Sequence, residues 1–176
     1  MAEPARGTRR DAFDILGVAA RFDLDLPAVQ RAYLARSADV HPDRAGEAGE
    51  QLAAELNDAK RVLEDPERRA GALLARLGGP SKEADRSLPD GFLMEMMELR
   101  ESAEAAGASG DRAEVDRWIA DAERRRKGHI ESVGRAFAAV GAAPTGDQLR
   151  AIRRELNAWR YIERMIEQLD GGGETM

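Results

Sequence analysis

Apolar residues recur three and four places apart along nearly all of this 176-residue sequence, and no stretch keeps the alternation of a half-buried strand. A period of that kind restricts the chain to helices packed on helices, an all-α fold. Glycine, proline and short polar caps cut the pattern into elements. Asp11 to Gly17 reads as a short helical turn with Phe13 and Leu16 on one side, stopped by glycine. Asp25 is placed as an N-cap, with Pro27 tolerated in the first turn, for a helix reaching about Asp39. Its apolar side takes Leu26, Val29, Tyr33 and Val40. A polar loop, His41 to Gly46, precedes a longer helix from about Glu47 to Glu64, whose stripe is Leu52, Leu56, Ala59 and Leu63. Asp65-Pro66 restarts the chain as cap and first helical residue. The fourth helix carries Ala70, Leu73, Leu74 and Leu77 and ends at Gly78-Gly79.

The stretch GGPSKEADRSLPD, residues 78–90, has two glycines and two prolines and no apolar period to bury. It divides the chain. Beyond it three longer patterns follow. The first runs from about Pro89 to Ala106 and ends in a Gly107–Gly110 loop. The second opens at Asp111, a cap, and continues through Val115, Ile119, Ala122, Ile130, Val133, Phe137 and Val140, with Gly128 and Gly134 as points of weakness. The third follows a turn at Gly141–Gly146 and uses Leu149, Ile152, Leu156, Trp159, Ile162, Ile166 and Leu169. Three amphipathic helices with short connections predict an antiparallel bundle. The expected organisation is a flexible tail over 1–10, a helical domain over 11–77, a linker over 78–88, a three-helix bundle over 89–170 and a flexible tail over 171–176.

Composition narrows the function classes. With 27 Lys and Arg against 33 Asp and Glu the chain is acidic, net −6, whereas nucleic-acid binding calls for a basic footprint. There is no cysteine, and the two histidines, His41 and His129, fall in different domains, so no metal or other cofactor is expected. No apolar run approaches the ~18 residues of a membrane span, and Met1 to Arg10 is basic without the apolar core of a secretory signal. That segment reads as an exposed tail or the remnant of a transit peptide. The cytoplasm is the default location.

His41-Pro42-Asp43 is the first segment with chemical content. As a bare tripeptide it is a polar turn, because Pro42 biases His41 away from helix and Asp43 can bond the backbone. As a catalytic pair it lacks a nucleophile, and an enzyme is not expected. Its context says more. The tripeptide lies between an amphipathic helix and a longer one, and Asn57-Asp-Ala59…Leu63-Glu-Asp65-Pro66-Glu-Arg-Arg69-Ala70 follows. In these features the span from Asp11 to about Leu77 resembles the J domain of DnaJ-type co-chaperones, a helical hairpin carrying an HPD loop. The resemblance implies that His41, Pro42 and Asp43 dock on a DnaK-type ATPase chaperone and stimulate hydrolysis in trans. Arg31 and Arg36 on the second helix and Arg44 past the loop would meet that partner's acidic surface; the alternative for Arg31 and Arg36 is a solvated helix face.

The second segment is Phe92-Leu-Met-Glu-Met-Met-Glu-Leu-Arg-Glu101. At ~100° per residue Phe92, Met96, Leu99 and Ala103 make one stripe, and Leu93, Met94 and Met97 fall outside it beside Glu98 and Glu101. Such a strip is either a partner surface, which methionine and a carboxylate rim suit, or packs on another part of the molecule. A helical hairpin behind this segment, fused to a J domain, resembles the HscB family of J-type co-chaperones in iron–sulfur cluster assembly. In that family the J domain engages the ATPase chaperone HscA and the bundle binds the scaffold protein IscU. The resemblance assigns scaffold contacts to Leu93, Met94, Met97, Glu98 and Glu101, with Tyr161 of the last helix beside them. A J-domain co-chaperone for a different client is the alternative. Arg124-Arg-Arg-Lys127, among acids on its helix, reads as a solvated face, and His129 as a surface or half-buried residue.

Overall fold

The computed structural model describes residues 10–39, 42–141 and 143–171, with side chains described outside 42–47 and 168–171. Among the described residues there are α-helices and no strand: α1 (Ala12–Leu16), α2 (Leu26–Asp39), α3 (Pro42–Glu64), α4 (Pro66–Arg76), α5 (Phe92–Ser109), α6 (Arg112–Ala139) and α7 (Gly146–Gly171). They divide into two compact units, Met1–Arg76 and Leu77–Met176.

In the first unit α3 is the centre, with α1, α2 and α4 each packed on it. Phe13, Leu16, Val29, Leu63, Ala70 and Leu74 are at or near zero exposure and form the core. The five-residue α1 is too short to persist alone and is held by its ends. Asp11 and Asp14 form a capping box, and Gly17 closes the helix with a left-handed φ of 65°. Arg36 of α2 donates from Nε to the Leu16 carbonyl at 3.0 Å. Arg76 at the end of α4 reaches Asp11 at 2.6 Å and Asp14 at 3.0 Å. Between α2 and α3 the Tyr33 hydroxyl donates to Asn57 Oδ1 at 2.7 Å. Arg69 is buried, its guanidinium 5.3 Å from the centre of the Phe22 ring and bonded to the Leu63 carbonyl.

Two expectations are corrected here. Leu26 and Leu52 are exposed rather than part of the helix–helix seam, because Val29, Leu56, Ala59 and Leu63 already fill it. The longer helix starts at Pro42, not Glu47, so that Pro42, Asp43 and Arg44 stand in the first turn of α3. Proline suits that position, where its missing N–H costs nothing.

In the second unit α6 packs on both α5 and α7. Phe92, Met96, Leu99, Ala103 and Ala106 of α5 meet Trp118 and Ala122 of α6 and Ala158, Ile162 and Ile166 of α7 in one buried cluster. The far end of the α6–α7 pair buries Val133, Phe137, Leu149, Ile152 and Leu156. Helix α5 runs three residues past Ala106, through Gly107, and ends at Gly110 with φ 68°. Gly128 and Gly134 leave α6 continuous over its 28 residues. Trp118, absent from the predicted stripe, is buried, and its indole N–H donates to the Leu99 carbonyl at 3.0 Å. The basic run is likewise more than a solvated face. Arg125 pairs with Glu95 of α5, and Arg126 with Glu163 of α7 at 2.7 Å, so this stretch of α6 clamps both neighbours. His129 is half-buried, its Nδ1 3.1 Å from Glu155.

The proline- and glycine-containing segment ahead of α5 is fastened to α7. Asn157 Nδ2 donates to the carbonyls of Asp85 at 3.0 Å and Ser87 at 2.9 Å, and Arg153 Nε to that of Pro80 at 3.0 Å.

Candidate partner-binding surfaces

His41 lies outside the described residues, and of Pro42, Asp43 and Arg44 the backbone alone is described, in the first turn of α3. The second-helix arginines are placed. Arg31 is exposed and pairs with Asp25 at 3.3 Å. Arg36 turns inward to the Leu16 carbonyl, so one of its donors secures α1 while the residue remains exposed.

The other candidate surface is on α5. Its core stripe leaves the opposite side of the helix free. Leu93 is 59% exposed, Met94 71% and Met97 64%, whereas Met96 between them is 1% exposed. The carboxylates of Glu98 and Glu101 stand exposed on the same outer side. Tyr161 on α7 is 39% exposed. Its ring meets the buried Phe92 ring edge-on at 5.7 Å between centroids, and Phe92 meets His129 in the same way at 5.8 Å. Phe92 is therefore the post against which the tyrosine ring is held. Exposed thioether and isobutyl groups on one side of α5, with carboxylates at their edge, form a surface that gains by covering apolar area.

Beyond Tyr161 lies a surface that the helical period does not reveal. A groove of about 490 Å³ between α5 and α7 is lined by Arg100, Ala103, Glu104, Gly107, Tyr161, Arg164 and Met165. The small residues Ala103 and Gly107 leave it open. A second groove, of about 440 Å³, is bounded by Lys82, Glu83, Arg86 and Leu88 of the fastened segment and by Arg160, Tyr161 and Arg164 of α7. Asp85 holds that segment's turn by accepting from the Ser87 hydroxyl at 2.5 Å and N–H at 2.9 Å, and these bonds keep its carboxyl below the usual carboxylate range. A period of three to four relates residues 157, 160, 161 and 164; what hid the surface is that Arg86 comes from a stretch with no period at all.

Among the described residues no cluster of His, Asp or Glu could hold a metal ion, and no helix is long and apolar enough to cross a membrane.

Residues 11–71 match the DnaJ domain family, and residues 88–170 match the family described as the HSCB C-terminal oligomerisation domain. The chain is 30% identical over 171 residues to the co-chaperone protein HscB homolog of Bordetella petrii, covering 90% of this chain and 94% of that one. It is 35% identical over 130 residues to the HscB homolog of Burkholderia multivorans, covering 69% and 74%. In fold it is similar to chaperone HscB from Vibrio cholerae, with a TM-score of 0.75 at 24% identity over 94% of this chain and 98% of that one. Human co-chaperone protein HscB gives 0.79 at 21% identity over 98% and 86%.

Proposed function

This chain belongs to the HscB family of J-domain co-chaperones, and from that premise we propose that it delivers an IscU-type iron–sulfur scaffold protein to an HscA- or DnaK-type ATPase chaperone in the cytoplasm. It is a co-chaperone and not an enzyme; hydrolysis takes place on the partner. The bundle over 89–170 receives the scaffold through Leu93, Met94, Met97 and Tyr161, with Glu98 and Glu101 selecting for a basic rim on it. The J domain over 11–77 presents His41, Pro42 and Asp43 to the chaperone, with Arg31, Arg36 and Arg44 adding electrostatic attraction. Segment 78–88 connects the two.

The observation that carries this reading is the contrast along one helix: Leu93, Met94 and Met97 exposed, Phe92, Met96 and Leu99 buried. A helix of a small bundle that keeps its core on one face has no internal use for a second apolar strip. Contiguous exposed apolar groups of this kind mark binding surfaces. The decisive measurement is a titration of the full chain with purified IscU, followed by an ATPase assay of the chaperone with and without both proteins. Binding of IscU, together with a rise in chaperone turnover that neither the chain nor the scaffold gives alone, supports the proposal. Binding of unfolded polypeptides with no preference for IscU overturns it in favour of a different client.

A further inference from the structure

We infer that Arg86 and Arg164, together on one side of Tyr161, form a second recognition element that takes carboxylates of an acidic segment on the scaffold protein; the inference rests on the reading of the patch given above. Across the bundle surface the chemistry changes in order. Viewed down α5 and measured from Phe92, Glu98 and Glu101 stand at about 240° and 180°, Met97 and Leu93 at about 140° and 100°, and Arg100 at about 80°. The side of α5 near 60–100° is the one turned to α7, since Arg100 and Gly107 share a groove with Tyr161 and Arg164. Past Tyr161 comes Arg164, then Arg160 and Arg86. The surface is acidic at one edge and apolar in the middle, and at the other edge the arginines outnumber Glu104 and Glu83, the two glutamates that share their grooves.

The basic edge is not an accident of composition, because the chain as a whole is net −6. Nor are its two key cations committed elsewhere. Arg100 is paired with Glu104 at 3.1 Å, Arg160 with Glu167 at 3.6 Å and Lys82 with Glu83 at 4.0 Å. Arg86 and Arg164 have no carboxylate partner among the described residues. Both line grooves with an apolar side, Leu88 and Tyr161 in one and Ala103, Tyr161 and Met165 in the other. Both arginines are exposed, and each guanidinium offers a planar fork to a carboxylate beside an apolar wall. Asn157 fixes the position of Arg86 by holding the carbonyls on either side of it, those of Asp85 and Ser87. A partner covering Tyr161 would thus meet cations on one flank and anions on the other. The occupant that satisfies both has a basic edge, an apolar centre and an acidic edge. Complementary fields of this sort set orientation and association rate more than total affinity.

The test uses the full chain and purified IscU, with binding followed by stopped-flow and titration at low and at high salt. Arg86→Glu/Arg164→Glu is compared with Leu93→Ala/Met97→Ala. We expect the charge reversal to slow association and weaken binding at least ~10-fold at low salt, with most of the loss gone near 0.5 M, where the Debye length falls to a few Å. Arg164→Lys, which keeps the charge but not the fork, should lose less. Tryptophan fluorescence melts confirm that each variant keeps the bundle. If IscU binds, the apolar variant weakens binding and the charge reversal changes neither rate nor salt dependence, the basic element is disproved while the patch stands. If IscU does not bind the unaltered chain, or the apolar variant binds as well as the unaltered chain, the reading of the patch fails and the inference falls with it.

Discussion

Met96 and Met97 are adjacent in the chain and have opposite environments, 1% and 64% exposed. A helix turns ~100° per residue, and that one step moves a thioether from the bundle core to the candidate interface. The two should respond differently to the same truncation. Met96→Ala leaves a cavity beside Phe92, Leu99 and Ala103 and is expected to lower stability by about 2–5 kcal/mol. The triple change Leu93→Ala, Met94→Ala and Met97→Ala removes as much apolar volume or more from a surface already wet. Its melting temperature should stay within a few degrees of the unaltered chain, while IscU affinity falls at least ~100-fold, as anchors of this size commonly cost more than ~1 kcal/mol each. Thermal melts beside a binding titration check both halves. A large drop in the melting temperature of the triple variant would make the strip part of the core.

At the scale of elements, α1 shows how much of a short helix is supplied by its neighbours. Its caps come from Asp11, Asp14 and Gly17, its last carbonyl is taken by Arg36, and both of its acids are met by Arg76. The hydrogen bond from Arg76 holds the Asp14 carboxyl below its ordinary value, against a smaller opposing effect of burial. A depressed carboxylate stabilises the fold above its unfolded-state value, about pH 4, and the contribution is lost as pH falls through the folded-state value below that. Arg76→Gln should therefore lower the first unit's melting temperature at neutral pH and flatten its dependence on pH below about 4. Both tryptophans belong to the second unit, so a far-UV transition without a matching fluorescence change reports the first. An acid limb identical in the variant would contradict this account. Local signals of this kind were legible in the sequence: Gly17 as a stop, Asp65-Pro66 as a restart, Asp111 as a cap, and the stripe Phe92, Met96, Leu99 and Ala103. Long reach was not. Arg125 and Arg126 find their partners 30 and 37 residues away, and Trp118 a carbonyl 19 residues away, distances at which helical period carries no information. The basic edge beside Tyr161 was hidden for the same reason, since Arg86 is brought there by Asn157, some 70 residues later.

At the scale of the molecule, the two units have separate cores and carry separate proposed sites on one chain. On the proposed function, joining them would make the second binding event intramolecular: a scaffold held on the bundle would be presented to the chaperone at an effective concentration set by the connection, without any added contact. This predicts that the sites can be uncoupled by single changes. His41→Gln should abolish stimulation of the chaperone's ATPase while leaving IscU affinity unchanged. Because such a chain still occupies the scaffold, it should also act as an inhibitor. Added in excess to a mixture of unaltered chain, chaperone and limiting IscU, it should suppress the scaffold-dependent part of hydrolysis in proportion to the IscU it sequesters. Combining His41→Gln with Leu93→Ala, Met94→Ala and Met97→Ala should remove the inhibition, since that chain binds no scaffold to withhold. Steady-state phosphate release across a titration of each variant checks the order. If the quadruple variant inhibits as strongly as His41→Gln alone, the two chains are competing for the chaperone and not for the scaffold, and coupled delivery through one chain is not the mechanism.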